Sequence, residues 1–178
     1  ALPAFTRDWL FWFMFIYGLF VFLPFLAPVF MKIGMTGTGE ALYFIYSFFC
    51  HQLPQRSFFL FGEKTMYSLS EIQTVWQNTT NPLVLRQFIG NEVMGWKVAW
   101  SDRMFSFYTS IWVFALLYAL TRRKIAPLSL VGFFLLLIPM AIDGGTHMFS
   151  DLSGIGNGFR DTNEWLASMT NNSFSNSF

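Results

Sequence analysis

Twenty-three consecutive residues, Trp9 to Met31, carry no charged side chain: WLFWFMFIYGLFVFLPFLAPVFM. At about 1.5 Å per residue a helix of that length reaches across a hydrocarbon core of roughly 30 Å, with some tilt to spare. Apolar residues occupy every face, which a helix at the surface of a water-soluble protein does not need. The chain is therefore expected in a bilayer, and its polar groups are weighed against lipid rather than water. The run is longer than the apolar segment of an ordinary secretion signal, so it reads as a retained span.

Composition agrees. Charged residues make up 12% of the chain, half of the roughly 25% usual in soluble domains. Aromatic residues make up 21%, with 24 phenylalanines. The net charge of +1 offers nothing to nucleic acid. Membrane lipids are the expected partners, with other membrane-protein subunits as further candidates. Cys50 is the sole cysteine, which excludes an intramolecular disulfide and a thiolate-rich metal motif.

The pattern predicts an all-α polytopic membrane protein, 1–178 forming a single membrane domain. Spans are expected near 9–31, 104–121 and 125–142, the first kinked by Pro24 and Pro28. Residues 41–61, ALYFIYSFFCHQLPQRSFFLF, are apolar, then polar, then apolar again around Pro54. They read as a broken helix that dips into the membrane and turns back, which is tolerated where backbone is buried in protein or lines a wet cavity. A full crossing there would put the N-terminus outside. Residues 63–102 read as an extramembrane insert with interfacial helices, and 149–178 as a polar tail with a short helix ending at Met169. Arg122, Arg123 and Lys124 fill the turn between the last two spans. The positive-inside rule places that turn in the cytoplasm of what reads as a prokaryotic membrane.

Chemistry-bearing residues gather at a few places. Cys50-His51-Gln52, with Arg56 and Ser57 beyond Pro54, are either a reactive or metal-binding corner or a polar break that satisfies loop backbone. Adjacent residues point apart on a helix, so Cys50 and His51 alone make no site. Asp143 and His147 stand four apart, so one helix face could bring them together, although Gly144 and Gly145 weaken that helix. They are a proton-handling pair, a metal pair or a structural hydrogen bond. Asp102 suits a helix N-terminus, and Arg103 does not, so Arg103 is expected to pair with a carboxylate, Asp143 first. The expected topology puts Cys50, His51, Arg56, Arg103, Asp143, His147, Asp151, Arg160 and Asp161 on one outer face. Candidate catalytic residues are thus Cys50, His51, Arg56, Ser57, Arg103 and Asp143. Candidate metal ligands are His51, His147 and Asp143. Two histidines at the ends of spans argue against haem, and no cofactor is identified.

Four stretches carry a resemblance: FCHQLPQRSFFLFG (49–62), SDRMFSFY (101–108), IDGGTH (142–147) and RDTNEWLASMT (160–170). They resemble the successive motifs of the small predicted membrane proteins called domain of unknown function 2085. Cys50, His51, Gln52, Pro54, Arg56 and Ser57 match its Cys-His-Gln-x-Pro-x-Arg-Ser signature. Arg103 and Tyr108 match the second motif, Asp143, Gly144 and Thr146 the third, and Arg160, Asn163, Leu166 and Thr170 the fourth. Ser101 and Met104 stand where cysteines are common, which argues against a site built from several thiolates. His147 replaces a glutamine, and 65–100 is longer than the family's usual link. The resemblance implies an architecture and a residue list, not a reaction. Two functions are carried forward: an accessory or structural subunit of a larger membrane complex, and a membrane-embedded enzyme or transporter-like protein with a Cys/His/Arg/Asp site at the outer face.

Overall fold

The computed structural model describes residues 8–121, 124–152 and 154. They fall into two compact units. The first takes the chain up to Gln52, then Ser57–Glu63 and Ile89–Ile125. The second takes Leu53–Arg56, Lys64–Phe88 and the chain from Ala126 onward.

The first unit opens on α1 (Trp9–Phe22), started by the Asp8 carboxylate, which accepts from the Leu10 amide at 3.0 Å. Pro24 has no N–H to give, and the helix tightens to a 3-10 turn over Leu23–Phe25 before resuming as α2 (Leu26–Lys32). The chain reverses at Gly34, whose φ of +82° suits glycine. It returns as α3 (Thr36–Tyr46), packed on α2. Gly39 permits that approach: a Cβ there would stand 2.6 Å from Met31 Sδ and 3.3 Å from the Ala27 carbonyl.

Beyond α3 the structure departs from the all-α expectation. Residues 41–61 do break, but at Ser47 rather than at Pro54, and they do not resume as helix. Ser57–Leu60 form β1, which pairs antiparallel with β3 (Gly95–Ser101). A two-residue strand β2 (Gly90–Asn91) flanks β3 on its other side, giving the order β1-β3-β2. Part of the expected helical insert is therefore sheet. The reason is physical: Val98, Ala99 and Trp100 are wholly buried. A short apolar run buried on both faces carries no period that separates strand from helix.

From β3 the chain passes directly into α6 (Asp102–Leu120), which runs antiparallel along α1. Phe25 meets Phe105, and Phe20 meets Tyr108, at ring separations of 5.0 and 5.3 Å. Trp112 donates its indole N–H to the Met14 carbonyl at 3.0 Å. The core joins Ala27, Met31, Leu42, Tyr43, Tyr46, Cys50, Val98, Ala99 and Trp100. The Trp100 indole N–H donates to the Val21 carbonyl at 3.1 Å.

The second unit holds the 3-10 turn Pro54–Arg56 and the short helices α4 (Leu69–Val75) and α5 (Pro82–Leu85). Ser68 and Glu71 form a capping box at the start of α4. Burial raises the Glu71 carboxyl, but the Lys64 ammonium and the Ser68 amide and hydroxyl together bring it below its ordinary value. Asn81 caps α5, with Pro82 at its first position. The last helix, α7 (Leu130–Leu152), starts five residues later than the expected span and continues ten further. Among the described residues three helices, Trp9–Lys32, Asp102–Leu120 and Leu130–Ser150, are long and apolar enough to cross a membrane. The expected basic turn at Arg122–Arg123 and the helix ending at Met169 lie outside the described residues.

Candidate functional site

The Cys-His-Gln segment is pinned by a closed cycle of hydrogen bonds. The Tyr43 hydroxyl donates to the Lys97 carbonyl. The Lys97 ammonium donates to the Gln52 carbonyl at 2.8 Å. The Gln52 carboxamide donates to the Tyr43 carbonyl at 2.9 Å. Each side chain thus satisfies the main chain of the next member, and the cycle ties α3, the turn and β3 together. Lys97 is 0% exposed, and its ammonium lies 6.0 Å from the Tyr43 ring centroid, within reach of a cation–π attraction. Burial pushes the Tyr43 phenol above its ordinary value, so it stays a donor.

Cys50 closes the same turn. Its Sγ accepts from the amides of Gln52 and Ser101, both at 3.3 Å, and donates to the Ser101 hydroxyl at 3.4 Å. Gln52 holds φ +51°, a left-handed conformation that costs a non-glycine residue energy. The two amides on sulfur and the Lys97 bond support it. Ser57 is fully buried on β1, opposite Ser101.

The candidates therefore separate. Cys50, Gln52, Ser57 and Ser101 converge on the β1–β3 end of the first unit. His51 follows Cys50 but is exposed, so the two do not form a nucleophile–base pair with a common cavity. Ser101 does not cap α6 through its side chain. Asp102, 1% exposed, accepts the Arg103 amide at 2.7 Å and fills part of that role. Arg56 lies on the 3-10 turn of the second unit.

On α7 the four-residue spacing is realised. His147 Nε2 lies 3.8 Å from Asp143 Oδ1, and His147 is 3% exposed. The Thr146 hydroxyl donates back to the carbonyls of Ile142 and Asp143 at 2.8 and 3.0 Å. Among the described residues no three of His, Cys, Asp and Glu are grouped to hold a metal ion. Cys50, His51 and Arg103 belong to the first unit, Asp143 and His147 to the second. The Arg103–Asp143 pair and the shared neighbourhood of Cys50, His51 and His147 remain expectations.

Sequence reasoning missed Lys97 and Tyr43. By position alone Lys97 falls in the 63–102 stretch that reads as an extramembrane insert. The available signal was its setting: one lysine inside GWKVAW, flanked by tryptophans and β-branched or small residues, as in a strand buried on both faces.

Apolar helices long enough to span and a buried polar turn between them define a small helical membrane protein carrying an added sheet. The chain belongs to the family described as predicted membrane protein (DUF2085), which matches residues 88–177. An uncharacterized protein of Methanocaldococcus jannaschii is 51% identical over 45 residues, covering 22% of this chain and 29% of that protein. The chain thus spans under a third of that relative's length. No solved structure matches.

Proposed function

We propose that this chain is a structural or accessory subunit of a larger membrane assembly. One observation carries the reading: Cys50 and Gln52 of the signature turn, with Lys97 beside them on β3, are spent on the chain's own backbone, while the buried Gln55 carboxamide of the same turn has no hydrogen-bond partner among the described residues. The Cys50 thiol, the Gln52 carboxamide and the Lys97 ammonium all bond main-chain groups at 2.8–3.3 Å. A catalytic constellation keeps such groups aimed at a reacting atom. Extraction of host membranes in mild detergent, followed by native mass spectrometry, tests the reading. A complex of fixed stoichiometry is expected, and a monodisperse lone chain overturns it.

The rival reading, a membrane-embedded chemical site, is supported by the Asp143–His147 approach on a helix whose preceding residues, Leu130 to Ile142, carry no polar side chain. An ionisable group within a span is a functional candidate by default. Under this reading Arg103 pairs with Asp143, so Arg103→Met misassembles and Asp143→Asn partly rescues it. Metal that is retained by the purified protein and lost in both His51→Ala and His147→Ala would favour this reading. We further propose that the Arg122–Lys124 turn is cytoplasmic. A cysteine at Lys124 then labels only from that side.

A further inference from the structure

The register of α1 against α6 is a ruler for depth. Phe25 lies by Phe105, Phe20 by Tyr108, and Trp112 against Gly18. Extended to the helix ends, this register sets Asp102 level with Ala27 and Leu120 level with Trp9. The 19 residues of α6 make a helix of about 28 Å, close to the hydrocarbon thickness. The pair therefore accounts for one crossing each, and the hydrocarbon ends near Ala27 and Asp102. A lipid-exposed sheet edge cannot lie below that level, and β3 leads straight into Asp102.

The end of α3 passes back below it. The Tyr46 hydroxyl donates to the Phe20 carbonyl at 2.9 Å, and the Phe49 ring meets the Phe20 ring edge-on at 5.3 Å. Phe20 is seven residues inside Ala27, about 10 Å along a helix. Residues 41–50 carry no charge. Their outward side chains are Phe44, Ile45, Phe48 and Phe49, which are 66, 50, 73 and 50% exposed. Phe44 and Phe48 stack edge to face at 5.3 Å. The one hydroxyl in this stretch beyond the tyrosines, on Ser47, bonds back to the Phe44 carbonyl at 2.7 Å and needs no outside partner.

We propose that Phe44–Phe49 is inserted among the acyl chains of the leaflet on the sheet side. The occupant of this aromatic surface is lipid. It lies near the depth at which α1 exposes Leu19 and Phe22, it adjoins α1 at Phe20, and the exposed polar side chains nearest it in sequence, Glu40 and His51, stand at its two ends rather than within it. Helices that lie in the interface bury their apolar side about 5–10 Å deep, and this tip reaches that depth. The wedge anchors the Tyr43–Lys97–Gln52 cycle at the membrane boundary. The inference rests on the membrane reading of α1 and α6.

Spin-label depth measurement tests it on the full chain in phosphatidylcholine–phosphatidylglycerol vesicles. Labels are placed singly through Phe48→Cys, Leu19→Cys and Val93→Cys, with the unaltered chain reporting background from buried Cys50. Leu19 is the lipid reference, and Val93, exposed beyond β2, is the water reference. The Phe48 label is expected to collide with oxygen as at Leu19 and to lose collisions with an aqueous nickel chelate. Nickel access equal to that at Val93 overturns the proposal. So does shielding from both reagents, which marks a protein partner, and so does dipolar broadening, which marks a second copy. Nickel access at Leu19 as well overturns the membrane reading along with it.

Discussion

Cys50–Ser57 and Asp143–Ser150 are the two places where polar side chains interrupt apolar sequence, and they fold in opposite ways. The first leaves the helix, takes a left-handed residue at Gln52 and ends in a strand. The second stays helical through Gly144 and Gly145. Polar content does not decide this. The first has Pro54, which helix interiors reject at about 3 kcal/mol, and bonds to partners 45 and 51 residues away in sequence, Lys97 and Ser101. The second has glycines, at about 1 kcal/mol each, and its Thr146 hydroxyl bonds the carbonyls one turn back. The first turn is thus held by tertiary bonds, whereas in the second the Thr146 hydroxyl is held by its own helix.

Substitutions that remove a distant partner from the first region should be costly, and those that remove a local one from the second should be cheap. Trp100→Ala comes first. It empties the largest buried side chain beside the turn and breaks the bond to Val21, so a loss of about 3–5 kcal/mol is expected. Detergent-resistant folding, followed by near-ultraviolet circular dichroism against added dodecyl sulfate, reports it. An unshifted midpoint would remove the basis of the contrast.

Lys97→Met keeps most of the stem but leaves the Gln52 carbonyl without its ammonium donor. The same titration should show a loss of about 2 kcal/mol. Cys50→Ala strands two amides and should cost about 1–2 kcal/mol, whereas Cys50→Ser keeps an acceptor and should cost less. In the unaltered chain a maleimide should modify Cys50 only after unfolding. Rapid modification of the native protein would show a turn looser than its bonds imply. At the far end, Thr146→Ala removes only back-bonds to Ile142 and Asp143 and should change stability by under about 0.5 kcal/mol. A loss as large as that of Lys97→Met would show α7 to be held by more than its own ladder.

The spans were legible because an uncharged run of this length has one stable form in lipid. The kink at Pro24 was legible from a missing donor. The sheet was not, because β1 and β3 are specified by each other across about forty residues, and neither has a period of its own. The candidate site was half legible. Cys50, Gln52 and Ser57 announce themselves as polar residues in apolar sequence. Lys97 and Tyr43 do not, since each matters through a main-chain carbonyl that only the folded chain brings near. The helix continues past the expected end of the third span, through Gly144 and Gly145, with the Thr146 hydroxyl bonding back to Ile142 and Asp143.

The bonds that hold α1 also impose an order of assembly. Val21 waits for Trp100, 79 residues later, and Met14 waits for Trp112, 98 residues later. At about 5–20 residues per second of synthesis, those partners emerge some 4–20 s after α1 does. During that interval α1 has no protein neighbour on the side that α6 and β3 will cover. A polar stripe there would stand bare in lipid until the ribosome had caught up. An apolar surface on every side lets the helix rest in the bilayer alone and trade lipid for protein later, which accounts for a first span whose packed and lipid-facing sides are chemically alike.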